Sequence, residues 1–262
     1  MNRYQAPISA EANARVALAC LDLTSLNDGQ DLQGGEADVE ALCVKAVGPA
    51  GRGHTAAVCV WPRLAGLARS LLPPAIPVAA VANFPAGGSD VQRAVRDTGQ
   101  IVAAGAQEVD VVIPYRDLAA APALLAAVRR ACEGLTLKVI LESGELQDPA
   151  LLAQACHMAL DAGADFLKTS TGKTARSATP EAATVLLQAI AGDRATRHRV
   201  GFKPSGGIRT VADAALYIAL TAEHLGAEAL TPARFRIGAS GILADIEAVL
   251  GGGARPVPGA SY

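Results

Sequence analysis

Aromatic side chains are scarce in this chain of 262 residues, of which Phe, Tyr and Trp make up only 3%. Hydrophobic residues nevertheless reach 51%, so the core must be built mainly from Ala, Val, Leu and Ile. Proteins that bind single-stranded nucleic acid stack its bases on aromatic rings, and this composition argues against that function. The net charge is −2, and no basic run indicates a nucleic-acid or anionic-membrane surface.

Cysteines are few, and no two of them form a C-x-x-C pair. The five are Cys20, Cys43, Cys59, Cys132 and Cys156. Their odd number and wide spacing argue against a disulfide framework or a zinc site and indicate reduced thiols. The four histidines also lack metal-ligand spacing. Because the N-terminus has no apolar signal core and no stretch could span a bilayer, we expect a cytoplasmic protein without a metal.

Short β-rich runs alternate with Ala- and Leu-rich stretches along the whole chain. Eight strand candidates end at turn residues: 17–24, 55–62, 76–85, 108–115, 135–144, 165–172, 199–207 and 234–240. Helical periodicity is clearest at 88–104, 148–162 and 210–225. Apolar runs such as VDVVI are typical of strands that are covered on both faces. This alternation predicts right-handed βαβ units and a parallel sheet.

Eight such units in a chain of this length favour a closed barrel. A (β/α)8, or TIM, barrel typically takes about 250 residues as one domain. The alternative is a doubly wound sheet, but no G-x-G-x-x-G follows the first strand candidate. We therefore expect a single barrel domain over residues 1–262, with a mobile Gly/Pro-rich tail at 251–262.

Lys168 is the most informative charged residue, because it follows Phe166 and Leu167 in an apolar strand candidate. Barrel active sites lie at the C-terminal ends of the strands, and burying an unpaired charge is costly. A buried lysine beside another cation has a lowered pKa, so its neutral amine can attack an aldehyde and form a Schiff base. The alternative is a structural lysine at the barrel rim that pairs with Asp165 or another acid.

Two further charged residues should face the same opening. Lys203 lies on the next strand candidate, about 4.8 Å away, and repulsion between the two amines should lower one pKa. Asp110 shares a strand face with Glu108 and could hold a lysine or relay a proton through water. Alternatively, Lys203 only neutralises a phosphate, and Asp110 belongs to a structural ion pair.

Asp22 and Lys138 pose the same question on the first and fifth strand candidates. With Lys168, Lys203 and Asp110 they make five charges that can point inward from separate strands. One converging charged site explains them more simply than five unrelated ion pairs.

Glycine-rich turns follow the last three strand candidates. Gly172 follows the sixth, Gly206 and Gly207 follow the seventh, and Gly238 opens the Gly-Ala-Ser-Gly turn of the eighth. Glycines let backbone N–H groups approach an anion, which a helix N-terminus also favours. Loops after strands seven and eight are a recurrent phosphate site in barrels, although glycine also simply ends helices. These turns predict a phosphorylated substrate.

Seven segments resemble the deoxyribose-phosphate aldolase family in sequence and in order, across nearly the whole chain. They are LDLTSLND, VANFPAGG, EVDVVIPY, LKVILESGEL, ADFLKTSTGK, GFKPSGGIRT and RIGAS. The resemblance implies a TIM barrel and a class I aldolase. Such an enzyme reversibly cleaves 2-deoxy-D-ribose 5-phosphate to D-glyceraldehyde 3-phosphate and acetaldehyde through a lysine Schiff base. It implies no metal or organic cofactor and points to a homodimer.

The resemblance also implies a role for each matching residue. Lys168 matches the Schiff-base lysine, Lys203 the second lysine that tunes it, and Asp110 the aspartate of a proton relay. The positions that match substrate-binding residues are Asp22, Lys138, Thr171, Gly172, Lys173, Gly206, Gly207, Arg209, Gly238, Ser240 and the terminal Tyr262.

Two departures from the family pattern bear on the choice of acceptor. Ser205 stands where the family often has Ala, and Gly241 stands where a second Ser is common. Two other functions stay open at this point. One is another lysine-dependent aldolase, similar to transaldolase, and the other is a phosphosugar-binding protein that does not turn its ligand over.

Overall fold

Parallel strands and covering helices alternate in the computed structural model, which describes residues 9–27, 35–49 and 51–251. Within these ranges the strands are β1 (Leu21–Thr24), β2 (Ala57–Val60), β3 (Val78–Ala82), β4 (Glu108–Val112), β5 (Thr136–Ile140), β6 (Phe166–Lys168), β7 (Gly201–Lys203) and β8 (Ile237–Ala239). The helices are α1 (Ala10–Ala19), α2 (Glu36–Val47), α3 (Ala65–Leu71), α4 (Val91–Ala103), α5 (Ala121–Ala131), α6 (Pro149–Asp161), α7 (Pro180–Gly192), α8 (Val211–Leu225) and α9 (Leu243–Gly251).

The eight strands form one parallel sheet in the order β7-β6-β5-β4-β3-β2-β1-β8. Two parallel bridges, Phe202 with Phe235 and Ser205 with Gly238, join the β7 and β8 segments. They close the sheet into a barrel. Helix α1 precedes β1, and each strand is then followed by one helix, which is the (β/α)8 arrangement.

Several helices begin at the polar residue that their sequence provides. The side chains of Asp90, Asp148 and Thr179 each accept a hydrogen bond from a backbone N–H in the first turn of α4, α6 and α7. Thr210 and Asp213 cap α8 reciprocally. Such caps satisfy N–H groups that lack a partner inside the helix, and they start each helix close to the end of the preceding strand.

The predicted TIM barrel is confirmed. Each predicted strand segment contains one strand, and the three clearest periodic stretches correspond to α4, α6 and α8. The strands are shorter than the predicted segments, because those segments included residues of the neighbouring turns. The first part of the prediction for 17–24 was wrong, since residues 17–19 form the last turn of α1. Helix α9 ends at Gly251, one residue into the predicted tail, and the rest of that tail, with Tyr262, lies outside the described residues. No helix in the described ranges is long and apolar enough to cross a membrane.

Gly201 shows how closely the inner side chains of neighbouring strands approach one another. The register of β6 and β7 sets Phe166 opposite Gly201. A Cβ atom at position 201 would lie 2.3 Å from Phe166 Cε1 and 2.7 Å from the Arg234 carbonyl oxygen. Glycine at this position therefore lets the Phe166 ring fill the barrel interior.

We expect Gly201→Ala to lower the free energy of unfolding by about 1–3 kcal/mol, because the new methyl group must displace the Phe166 ring or the backbone. Urea unfolding measures the change. Gly99→Ala is the matched control, because position 99 lies in α4 and a Cβ there meets nothing within 4 Å. The free energy of unfolding of that variant should rise by about 0.5–1 kcal/mol. Equal stability of the two variants would contradict the close approach.

Candidate active site

The strand registers bring the five predicted charged residues into one cluster. Asp110 on β4 lies opposite Lys138 on β5, and Lys168 on β6 lies opposite Lys203 on β7. Asp22 on β1 joins them across the barrel, since its carboxylate accepts a hydrogen bond of 2.5 Å from Lys203 Nζ. The predicted convergence of these charges is therefore present in the structure.

Asp110 is the centre of the cluster, because three amines donate hydrogen bonds to its carboxylate. Lys138 Nζ lies 2.8 Å from Oδ1. Lys168 Nζ lies 2.8 Å and Lys203 Nζ 2.7 Å from Oδ2. Lys168 thus pairs with Asp110, whereas Asp165, the alternative partner, pairs with Arg129 and Arg199.

Two further charged residues, Glu108 and Arg236, complete the cluster. Arg236 lies just before β8, and its guanidinium is 2.6 Å from Asp22 Oδ1 and 2.8 Å from Glu108 Oε1. Glu108 Oε2 lies 2.5 Å from Lys138 Nζ. The sequence places Glu108 on the face of Asp110, but it gave Arg236 no part in the site. The one signal for Arg236 is strand alternation, which puts it on the same face as Gly238.

These seven residues form what we call the ion cluster: Asp22, Glu108, Asp110, Lys138, Lys168, Lys203 and Arg236. All seven are buried, with exposed fractions from 0% to 6%. Charges removed from water in this way are tolerated only where they are paired and hydrogen-bonded. The cluster satisfies this condition because its acids and bases alternate in space.

The three lysines differ in how many carboxylate oxygens surround them. Lys138 Nζ has three oxygens within 3.3 Å, from Glu108, Asp110 and Asp22. Lys203 Nζ has two, from Asp22 and Asp110. Among the described residues, Lys168 Nζ has one, Asp110 Oδ2, which it shares with Lys203. Each carboxylate oxygen favours the charged form of an amine, so Lys168 is the lysine whose charge is least stabilised.

The pKa values of the two better-paired lysines follow this order. Burial alone would lower both, but Asp110 and Glu108 hold the pKa of Lys138 well above its ordinary value. Asp110 and Asp22 raise the pKa of Lys203 in the same way. The amines in turn hold the pKa values of Asp22 and Asp110 below the ordinary carboxyl value despite their burial. Lys138 and Lys203 are therefore charged at neutral pH.

The pKa of Lys168 is shifted in the opposite direction from the pKa values of the other two lysines. Burial lowers its pKa, the Asp110 carboxylate raises it, and the Lys203 ammonium lowers it further, so that the net change is downward from 10.5. The repulsion from Lys203 that the sequence predicts does contribute, but burial contributes more. Lowering the pKa makes the neutral, nucleophilic form of the amine more abundant.

Cys59 on β2 adds a thiol beside the cluster. Its Sγ lies 4.0 Å from Asp110 Oδ2. Burial, and then the Asp110 charge, raise the pKa of this thiol. A thiol with a raised pKa stays protonated and is a poor nucleophile.

The glycine-rich turns lie next to one another at the same end of the barrel. A Cβ atom on Gly206 would lie 3.2 Å from Gly172 Cα, and the Gly206 N–H donates to the Gly238 carbonyl oxygen. Gly206 and Gly207 have φ values of +87° and +81°, which suit glycine. Gly238 itself lies within β8 and not, as predicted, in the turn that follows it. The surface therefore joins the turns after β6 and β7 to the end of β8.

This surface begins directly beside the second lysine. A Cβ atom on Gly238 would lie 3.1 Å from Lys203 Cε and 2.7 Å from Ser205 Oγ. Arg209, which follows β7, and Ser240, which follows β8, are both exposed. Exposed polar groups at these positions are available to a substrate.

Glu142 supports the turn after β6 and is a residue that sequence reasoning missed. It is fully buried and has a φ of +51°, which is uncommon for a residue with a side chain. Its carboxylate accepts hydrogen bonds from the Thr171 and Thr174 hydroxyl groups and from the Thr171 N–H. The Lys173 N–H in turn donates to Thr171 Oγ1. Glu142 thus holds the turn that contains Thr171, Gly172 and Lys173.

The family model of the DeoC/LacD aldolases matches residues 16–243, which is most of the chain. The chain belongs to this family. A deoxyribose-phosphate aldolase of Agrobacterium fabrum is 45% identical over 256 residues, which cover 95% of each chain. The protein is therefore an aldolase, a carbon–carbon lyase, and the predicted family is confirmed.

Solved structures of similar proteins agree with the barrel. A Toxoplasma gondii protein described as a deoxyribose-phosphate aldolase is 25% identical, with a TM-score of 0.81 over 93% of this chain and 98% of its own. A deoxyribose-phosphate aldolase of Aeropyrum pernix is 27% identical, with a TM-score of 0.70 over 92% of both chains. The latter is a tetramer, whereas the homodimer expected for this aldolase stays a prediction.

Within the ranges described, no group of three or more His, Cys, Asp or Glu side chains could hold a metal ion. The three carboxylates of the ion cluster are already paired with lysine or arginine side chains. All five cysteines are buried and free.

We expect Asp22→Asn to lower the free energy of unfolding by about 3–5 kcal/mol, because it leaves Arg236 and Lys203 with uncompensated buried charge. The pKa of Asp22 is lowered in the fold, so its contribution is present above pH 3.8 and is lost as the pH falls below that value. The variant should therefore lose less stability in acid than the parent protein does. Urea unfolding at neutral pH and at pH 3 measures both effects.

The control is Glu11→Gln, which removes the exposed ion pair of Glu11 with Arg15. Exposed pairs contribute little to stability, so this variant should unfold like the parent. An Asp22→Asn variant that also unfolds like the parent would show that the cluster is not a stabilising unit.

Proposed function

We propose that this aldolase reversibly cleaves 2-deoxy-D-ribose 5-phosphate to D-glyceraldehyde 3-phosphate and acetaldehyde, with Lys168 as the Schiff-base residue. The observation that carries the proposal is the contrast between the three buried amines. Lys168 alone has a lowered pKa, and it lies at the C-terminal end of its strand, where barrel enzymes act. The similarity to deoxyribose-phosphate aldolases supports the choice of substrate.

The reaction begins when the neutral Lys168 amine adds to the C1 aldehyde of the open-chain sugar. The carbinolamine then loses water and becomes a protonated imine. The C3 hydroxyl group gives its proton to a water molecule that Asp110 orients. The C2–C3 bond then breaks, and the electron pair of that bond moves to the imine as an enamine. Carbons 3 to 5 leave as D-glyceraldehyde 3-phosphate. Protonation of the enamine at C2 and hydrolysis of the new imine release acetaldehyde and restore the amine.

Asp110 and Lys203 serve the proton transfers in this proposal. Both Lys168 and Lys203 donate to the same oxygen, Asp110 Oδ2, so a proton can pass between the amines by way of that atom. The raised pKa of Lys203 keeps it charged. It is therefore the acid that can protonate the hydroxide lost from the carbinolamine, while Asp110 orients both groups. Asp22 and Lys138 hold this arrangement from the far side.

The glycine-rich turns bind the phosphate in this proposal. Their position beside Lys203 directs a sugar whose C1 is attached to Lys168 so that its C5 end lies over Gly172, Gly206, Gly207 and Gly238. Backbone N–H groups at such turns suit an anion, and Arg209, Lys173, Thr171 and Ser240 add polar side chains.

We further propose a cytoplasmic location, a homodimer, a single domain for the whole chain, and a part for Tyr262 in proton transfer.

Trapping with acetaldehyde and sodium borohydride tests the nucleophile. The reductant should convert the imine at Lys168 to a stable ethylamine, and mass spectrometry of peptides should locate it there. Lys168→Leu should lose labelling and at least about 10³-fold in turnover, because covalent catalysis is removed. Exposed Lys45 serves as the internal control for nonspecific labelling. Labelling of another buried lysine in place of Lys168 would contradict the assignment.

Kinetics with phosphorylated and free deoxyribose test the phosphate site. Arg209→Gln and Ser240→Ala should each raise KM for the phosphorylated sugar by up to about tenfold, which corresponds to about 1.4 kcal/mol of binding. KM for the free sugar should change little, because it lacks the group that these residues contact. Arg93→Gln on the exposed face of α4 is the control. Equal effects on both sugars would rule against this placement of the phosphate.

A further inference from the structure

Two chains of alternating charge connect Arg236 to Lys168, and a contact of 3.3 Å between Lys138 Nζ and Asp22 Oδ2 links the two chains. One chain runs from Arg236 to Asp22 Oδ1, from Asp22 Oδ2 to Lys203, and from Lys203 to Asp110 Oδ2. Lys168 shares that last oxygen.

The other chain runs from Arg236 to Glu108, from Glu108 Oε2 to Lys138, and from Lys138 to Asp110 Oδ1. Both chains therefore end on Asp110, one at each oxygen. A change in the ion pairs of Arg236 with Asp22 or Glu108 should therefore change how strongly Lys138 and Lys203 compete with Lys168 for the Asp110 carboxylate.

The ion cluster has one more base than it has acids. Its carboxylates are Asp22, Glu108 and Asp110, and its cationic side chains are Lys138, Lys168, Lys203 and Arg236. If every side chain were ionised, the buried cluster would have a net charge of +1, and burying net charge is costly. With Lys168 neutral, the acids and the remaining bases balance. Arg236 cannot give up its proton in a protein, so the neutral base must be a lysine.

We infer that Glu108 and Arg236 are positioning residues for Lys168. Together they determine the net charge of the ion cluster, and with that net charge the Lys168 amine is the one base in excess of the acids. Within the described residues no hydrogen bond or ion pair joins either of them to Lys168. The inference rests on the proposed role of Lys168 as the nucleophile. It adds two residues that act through Asp22, Lys138, Lys203 and Asp110 rather than on the substrate.

Two thiols near these atoms do not alter the balance. Burial raises the pKa of Cys20, which lies near enough to Arg236 and Asp22 to be affected by their charges, so this thiol is neutral. Cys59 faces Asp110 from β2, and a buried thiol with a raised pKa is neutral at the pH values in question. In the part of the chain that the structure describes, the charged groups around Lys168 are therefore Asp110 from β4, Lys138 from β5, Lys203 from β7 and Asp22 from β1, with Glu108 and Arg236 behind them.

The test is the pH dependence of imine formation at Lys168, compared among variants that change the charge of the cluster in opposite directions. Acetaldehyde is the probe, cyanoborohydride traps the imine between pH 5 and 9 (roughly the range in which this reductant and the fold are usable), and mass spectrometry measures the rate of labelling at Lys168. The variants are Arg236→Met, Glu108→Gln, the double variant with both changes, and Arg236→Lys.

Each variant has its own expected result. Arg236→Met removes the surplus charge, so Lys168 should hold its proton more tightly. The acid limb of the labelling profile, where the rate falls because Lys168 is protonated, should move up by about one pH unit. Glu108→Gln increases the surplus, and the acid limb should move down by a similar amount. The double variant restores one surplus base and should return close to the parent value. Arg236→Lys keeps the charge and should also stay close to it.

The pattern separates this inference from simple loss of structure. If Glu108 and Arg236 were merely structural, Arg236→Met and Glu108→Gln would both change the labelling of Lys168 in the same direction. The double variant would then be impaired at least as much as either. If Arg236→Met does not fold, the downward shift of Glu108→Gln and the unchanged limb of Arg236→Lys still decide the matter. Identical acid limbs in all folded variants would overturn the inference. Absence of labelling at Lys168 in the parent protein would instead overturn the proposed function.

Discussion

The three hydrogen bonds that the Asp110 carboxylate accepts from Lys138, Lys168 and Lys203 determine the arrangement of the barrel interior. Even with Lys168 neutral, a single buried carboxylate cannot compensate the charges of both Lys138 and Lys203. The structure therefore needs Asp22 and Glu108 nearby, and these in turn need Arg236. Because each charge requires the next, the strands that carry them must keep their register, and a slip of one residue would turn the whole set outward.

The architecture could be predicted from the sequence because it depends on local patterns repeated along the chain. Apolar runs such as VDVVI become strands that are buried on both faces, as β4 is. The stretch at 148–162 becomes α6, with Asp148 as its cap and Pro149 in its first turn. Strand ends were less predictable, because segments such as 165–172 continue from the strand into the turn. The strand ends at Lys168 because its pairing with β5 and β7 stops there.

The candidate site could be predicted in part. Lys168, Lys203 and Asp110 are recognisable because charged residues inside apolar strands are unusual. Arg236 is not, since it stands at the edge of a short strand and its partners Asp22 and Glu108 are 214 and 128 residues away in sequence. Which lysine has the lowered pKa depends on how many carboxylate oxygens surround each amine. That number follows from side-chain positions in three dimensions, and no pattern along the chain contains it.

The concentration of buried charges at the centre of the barrel bears on how the protein responds to heat. The hydration of charged groups becomes less favourable as temperature rises, so the cost of keeping the ion cluster out of water falls on warming. Hydrophobic stabilisation per unit area levels off over the same range. The centre of the barrel should therefore hold its geometry at temperatures where the Ala- and Leu-rich contacts of the outer helices no longer gain strength.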